Sequence, residues 1–183
     1  MPTYVEKLNL GMKAQAFELP GVEGKQFVFR PESMTTPYLI MFICNHCPYV
    51  KAIEDRLILL GQDLKLKNIP VFAICSNDPN DYPEDSFENM KARADLKKYS
   101  FHYLHDETQK VAKAYGAVCT PDFFLFNRKS ELSYRGRLDD SWKDPLSVQK
   151  RELYEAAIEL LTSDSVTSPQ VPTMGCSIKW KKV

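Results

Sequence analysis

The run Tyr38-Leu-Ile-Met-Phe-Ile43 is apolar throughout and stops at Cys44-Asn-His-Cys47, after which the pattern changes period. From Cys47 onward Val50, Ile53, Leu57, Leu60 and Leu64 recur at spacings of three and four, which marks one face of a helix ending near Lys67. Asn68-Ile-Pro70 then leads into Val71-Phe-Ala-Ile-Cys75, a second apolar run of strand length. Strands this apolar are covered on both faces, and strand, helix and strand in that order form a parallel crossover. This stretch commits the chain to an α/β fold with an at least partly parallel sheet, and it delivers two thiols to a strand-to-helix junction.

The remaining segments fit around that unit. Phe17 and Leu19, then Phe27 and Phe29, alternate about a Gly- and Pro-bearing turn, which predicts an N-terminal hairpin with one buried face. Residues 76–85 read as a loop and 86–98 as a helix carrying Phe87, Met90 and Ala94 on one side, with Asp85 and Glu88 spaced as a capping box. A strand over 101–104 follows, with His102 and His105 assigned to a surface edge, then a short helix over 108–115 and the loop 116–121. Asp122-Phe-Phe-Leu-Phe126 and Leu132-Ser-Tyr-Arg-Gly136 flank a polar turn and form an antiparallel hairpin. A helix over 147–161 buries Leu153, Ala157 and Leu160, and the polar, Pro-containing residues beyond it form an extended tail in which Trp180 anchors by burying its ring. No repeat or linker interrupts the chain, so one domain is expected over residues 1–183, large enough for its own core.

Equal numbers of basic and acidic side chains, 24 of each, leave no net field to attract nucleic acid. The N-terminus lacks the basic start and apolar core of a signal peptide, and no apolar run approaches a membrane span. The expected location is cytoplasmic, with no membrane partner. Five unevenly spaced cysteines do not make a disulfide scaffold, so a disulfide here is expected to be catalytic.

Cys44 and Cys47 can close a small disulfide ring, and helix N-terminal amides stabilise a thiolate. On this reading Cys44 is the exposed attacking thiol and Cys47 the more buried resolving thiol. Asn45 and His46, between the sulfurs, tune the pair: a protonated imidazole favours the Cys44 thiolate and the oxidising direction, whereas a solvated cap residue would do neither. Two competing readings are cysteines that merely pack and a zinc-holding dithiol in a non-enzymatic binding module, which would need two further ligands. No metal or cofactor is expected. Cys75 and Cys119 read as core. Cys176, in the tail, is a candidate third thiol, resolving, regulatory or merely packed.

The landmarks Cys44-Asn-His-Cys47-Pro48, Ser76-Asn-Asp, Tyr82-Pro-Glu-Asp-Ser86, Tyr115-Gly, Thr120-Pro121, Arg135-Gly-Arg-Leu-Asp-Asp140 and Gly175-Cys-Ser-Ile-Lys-Trp180 extend over nearly the whole chain. With them the chain resembles the thioredoxin-like superfamily, in the branch related to the AhpC/TSA peroxiredoxins but carrying a Cys-x-x-Cys. The resemblance implies a thioredoxin-like fold, a central mixed sheet flanked by helices with an N-terminal hairpin and an extended C-terminal tail. It implies that Pro121 is a cis-proline facing the dithiol and that the Thr120 backbone binds an extended substrate. It implies thiol-disulfide exchange with protein or small-molecule disulfides, supplied by an unidentified electron donor. A thiol-dependent peroxidase is the second reading, because Cys44 replaces the peroxiredoxin hydroxyl and the expected arginine has no counterpart near Thr120. The buried Asp that thioredoxins carry upstream of the motif is also missing from 38–43. Glu54 is the nearest base candidate, and it reads more readily as a solvated helix residue.

Overall fold

The computed structural model describes residues 2–182. In chain order the elements are β1 (Thr3–Tyr4), β2 (Phe17–Pro20), β3 (Gln26–Phe29), β4 (Tyr38–Phe42), α1 (Pro48–Leu66), β5 (Val71–Cys75), α2 (Phe87–Lys97), β6 (His102–His105), α3 (Lys110–Tyr115), β7 (Cys119–Thr120), β8 (Asp122–Phe126), β9 (Leu132–Tyr134), α4 (Glu152–Ser163) and β10 (Met174–Ser177). The central sheet runs β6-β5-β4-β8-β9. β4 pairs in parallel with β5, which pairs in parallel with β6, whereas β8 and β9 are antiparallel. The mixed sheet flanked by helices is thus as expected.

Alternation along the central strands divides the core in two. Leu39, Met41, Ile43, Val71, Ala73, Phe123 and Leu125 face α1, α2 and α4, whose Ile53, Leu57, Met90, Leu153 and Leu160 bury against them. Tyr38, Ile40, Phe42, Phe72, Ile74, Phe124 and Phe126 face the opposite way, onto the β2-β3 hairpin and α3. Phe17 pairs with Phe29 across that hairpin and stacks on it at 4.8 Å. Each central strand is therefore apolar at every position because it has a cover on both sides.

Three local expectations are corrected. The last helix begins at Glu152; Pro145–Ser147 is a separate 3-10 turn capped by Asp144, whose carboxylate accepts from Leu146 N. His102 is exposed beside Glu23, but His105 is buried, its ring 5.7 Å from that of Phe87, because the start of α2 lies over the end of the edge strand β6. The tail is more than a surface wrap: β10 pairs with both β1 and β7. Among the described residues no helix is long and apolar enough to cross a membrane.

Candidate active site

Ile43 still donates its N–H to Ile74 O at the end of the sheet, and the chain turns through Cys44, Asn45 and His46 before α1 starts at Pro48. Pro at the first helical position has the fixed φ a helix needs and no N–H to leave unpaired. Cys47 is consequently the N-cap, at the position the helix N-terminus faces, although its side chain makes no capping hydrogen bond. The helix N-terminus therefore acts on Cys47 and not on Cys44, as the spacing had suggested. Nor is Cys44 exposed: its relative exposure is 1 % and that of Cys47 is 0 %.

The two sulfurs sit in unlike surroundings. Burial raises Cys44 well above the usual thiol range, and the hydrogen bond to Cys47 and the charge of Asp85 push the same way. The neighbouring Cys44 thiol above all, and after it Cys176 and the main chain at Val50, outweigh burial and pull Cys47 down to about 5. One contact opposes this: Cys47 Sγ is 3.1 Å from Thr120 O, an arrangement favourable only to the protonated thiol. The influence of Cys44, Cys176 and the helix start outweighs that one carbonyl, so the thiolate is favoured on Cys47 over Cys44.

Cys44 Sγ lies 3.2 Å from Thr120 Oγ1 and 3.7 Å from His46 Nδ1. The same nitrogen is 2.5 Å from Asp85 Oδ2. Asp85 is 0 % exposed and its carboxylate gathers donors: Oδ1 accepts from Asn45 N and His46 N at 2.7 and 3.1 Å, and Oδ2 from Asn77 Nδ2 at 2.8 Å. Asn45 is a strut, donating to Glu84 O at 2.8 Å and accepting from Tyr103 OH at 3.1 Å. His46 stacks on Tyr82 with ring centroids 4.2 Å apart, so it is no solvated cap.

Asp85 is the site residue that sequence reasoning missed. The capping-box expectation assigned it to α2, but the N-cap is Ser86, whose side chain accepts from Asn89 N at 3.3 Å. One residue earlier, Asp85 is free to turn toward the dithiol. The only trace in the sequence is its place in the Tyr82-Pro-Glu-Asp-Ser86 landmark. Glu54, the base candidate, is 4 % exposed and neither solvated nor at the thiols. Its carboxylate accepts from Arg93 Nε and Nη2 at 2.8 and 2.6 Å and from Tyr99 OH at 2.7 Å, tying α1 to α2 and the loop beyond it.

Thr120-Pro121 is a cis peptide bond. The strand edge expected to be open beside it is filled by the protein itself: Cys176 pairs with Thr120 and Ser177 with Cys119. Beyond β10 the tail crosses the rim of the site. Asp78 N donates to Lys179 O, Lys179 N donates to Asn77 Oδ1, and Gln109 Nε2 donates to Lys179 O, each at 2.8 Å. These backbone bonds hold the tail, and Trp180 stays 41 % exposed with Lys113 Nζ 5.6 Å from its ring centre, which corrects the expected burial. Cys75 and Cys119 are fully buried, as read. Arg135 is buried behind the cis-proline, donating to both carboxylate oxygens of Asp122 and to Gly116 O, so its charge is committed to the loop.

Cys44, His46 and Asp85 bring three donor atoms within 4.8 Å of one another, more metal-ligating groups than the spacing had indicated. The direct contact of His46 with Asp85 occupies the space between them, and an ion there would have to break it.

The AhpC/TSA family model matches residues 10–135. The chain belongs to the AhpC/TSA family. No curated protein matches it. Among solved structures, this AhpC/TSA chain is similar to an uncharacterized conserved protein from Geobacillus kaustophilus, at 43% identity and a TM-score of 0.92, over 100% of this chain and 98% of that one. It is similar to a hypothetical protein from Sinorhizobium meliloti 1021 at 37% identity and a TM-score of 0.90, over 98% of each. A putative thioredoxin from Neisseria meningitidis matches at 25% identity and a TM-score of 0.56, over 67% of this chain and 77% of that one. The fold is thioredoxin-like, and the protein is a thioredoxin-like redoxin.

Proposed function

We propose that this AhpC/TSA protein is a thiol-disulfide oxidoreductase whose Cys44 and Cys47 alternate between dithiol and disulfide. The observation that carries the reading is the unlike setting of two adjacent sulfurs: Cys47 caps α1 and its thiol is pulled down, while burial pushes the Cys44 thiol up beside His46 and Asp85. The likeness to a putative thioredoxin supports it.

The Cys47 thiolate attacks one sulfur of a protein or small-molecule disulfide R–S–S–R′, forming Cys47–S–S–R and releasing R′–S⁻, which takes a proton from solvent. Cys44 then attacks the Cys47 sulfur, its proton passing to the departing R–S⁻, and the ring disulfide closes. During that step the Nδ1–H of His46 stays donated to Asp85 Oδ2, and the imidazole so held lies beside the charge developing on Cys44. An external thiol donor restores the dithiol by the reverse exchange. The attacking and resolving roles are thus exchanged relative to the sequence expectation, because the helix cap falls on the second cysteine.

Tryptic mapping tests this directly, since residues 26–51 form one peptide holding both thiols. Oxidised protein should show that peptide two hydrogens lighter, and Cys47→Ser should abolish exchange with a small aromatic disulfide. Exchange that survives Cys47→Ser sinks the reading.

A further inference from the structure

Cys47 has a second sulfur neighbour. Cys176 packs against the core cluster that contains both dithiol cysteines, and its presence beside Cys47 helps to lower that thiol. Its position is set by strand pairing: β10 lies antiparallel to β7 with Cys176 opposite Thr120, the residue whose carbonyl and hydroxyl touch Cys47 and Cys44. Gly175 permits this approach, because a side chain there would run into the Thr120 carbonyl.

The same strand poses a problem that the proposed exchange must solve. Cys44 and Cys47 are buried, and the main-chain edge at Thr120 is already paired. With β10 in place the sulfurs are covered, so access for a substrate disulfide would require β10 to lift. When β10 pairs with β7 again, it returns a thiol to the sulfur that now carries the mixed disulfide.

We propose that β10 is a returning arm and that Cys176 is a second resolving thiol, competing with Cys44 for the mixed disulfide on Cys47. This rests on the dithiol reading above. The Cys176 sulfur attacks Cys47 Sγ of Cys47–S–S–R, a Cys47–Cys176 disulfide forms, the bond to R breaks, and R–S⁻ leaves with the Cys176 proton. Overall R–S–S–R′ is reduced to two thiols and the protein pair is oxidised, with no other reagent. While Cys47 is free, burial first, then the neighbouring Cys47 sulfur and its charge, hold Cys176 up at about 12. Once Cys47 is bonded to substrate its charge is gone, so the activation arrives only with the adduct. The resulting disulfide pins β10 over the site. Cys176, half-buried where Cys44 is fully buried, is then the sulfur that an external thiol attacks, expelling Cys47 as the better leaving group.

The experiment treats Cys44→Ser and the double variant Cys44→Ser/Cys176→Ser, each full length, with one equivalent of 5,5′-dithiobis(2-nitrobenzoate), followed by intact mass and tryptic mapping. The expected result is a stable thionitrobenzoate adduct on Cys47 in the double variant. Cys44→Ser should instead release a second thionitrobenzoate and join peptides 26–51 and 152–179. A stable adduct in both variants would overturn the second resolving thiol and leave the dithiol reading intact. No adduct on Cys47 in either would overturn both. Because the variants could fold poorly, the unsubstituted protein is titrated with oxidised glutathione as well: the 26–51/152–179 link should appear beside the internal disulfide of 26–51, and its absence at full oxidation counts against the arm.

Discussion

Asp85 Oδ2 lies 2.5 Å from His46 Nδ1, joining a loop carboxylate to an imidazole 39 residues earlier in the chain. The same carboxylate accepts both main-chain amides between the two sulfurs, so one buried acid holds the Cys44-to-Cys47 turn in shape and sets the imidazole beside Cys44. Asp85→Asn keeps the shape but replaces one acceptor oxygen by a donor that faces His46 and Asn77. It should cost about 1–3 kcal/mol in urea unfolding and slow closure of the Cys44–Cys47 disulfide after adduct formation. Unchanged stability and closure would remove Asp85 from the site.

The pH dependence of that contribution has a definite sign. Burial pushes Asp85 up, but hydrogen bonds from His46 and Asn77, the attraction of His46 and the Asn45 amide together hold it below the ordinary aspartate value. A depressed carboxyl stabilises the fold fully above its unfolded value of about 3.9 and loses that contribution as pH falls through the lower folded value. The stability gap between the protein and Asp85→Asn should therefore narrow on acidification below about pH 4. A gap that widens there would contradict the assignment.

The thiolate on Cys47 should be visible in an ultraviolet thiolate titration of the reduced protein, with a midpoint at about 5. Cys47→Ser should abolish it. Cys44→Ala should move it upward, since the neighbouring Cys44 thiol is the largest influence lowering Cys47. A midpoint that follows Cys44 instead would restore the order of roles expected from spacing.

Glu54 is a tie between helices, not a base. Glu54→Ala leaves Arg93 and Tyr99 without their buried acceptor and should lower stability by about 2 kcal/mol, below the usual cost of a buried broken pair because Arg93 is partly solvated. Disulfide exchange at a temperature where the variant is folded should match that of the parent; a loss of exchange without unfolding would return Glu54 to the mechanism.

Gly175→Ala introduces a methyl group against the Thr120 carbonyl, a main-chain atom that cannot swing away. The pairing of β10 with β7 should weaken by about 1–3 kcal/mol, the usual cost of overpacking, and alkylation of Cys47 should become faster than in the parent. Alkylation at the parental rate would mean that β10 does not control access to the dithiol.

The β-α-β unit, the N-terminal hairpin and the β8-β9 hairpin were legible because each imposes a period on several consecutive residues, and burial on both faces left β4 and β5 apolar at every position. The dithiol was legible because both sulfurs lie within one turn of chain. What only the tertiary structure decided are contacts made by single residues across long separations. Asp85 and Ser86 are both competent helix caps, and the choice between them was made by amides at Asn45 and His46 that no local pattern reveals. Glu54 looks like any helix surface acid until Arg93 and Tyr99 are brought beside it. β10 has four residues and β7 two, too few for alternation to register. The sequence alone therefore determined the sheet, the junction and the presence of two thiols at it. The tertiary packing determined which sulfur caps the helix, which acid orients the imidazole, and that a third thiol rests against the pair, because these depend on where distant segments meet.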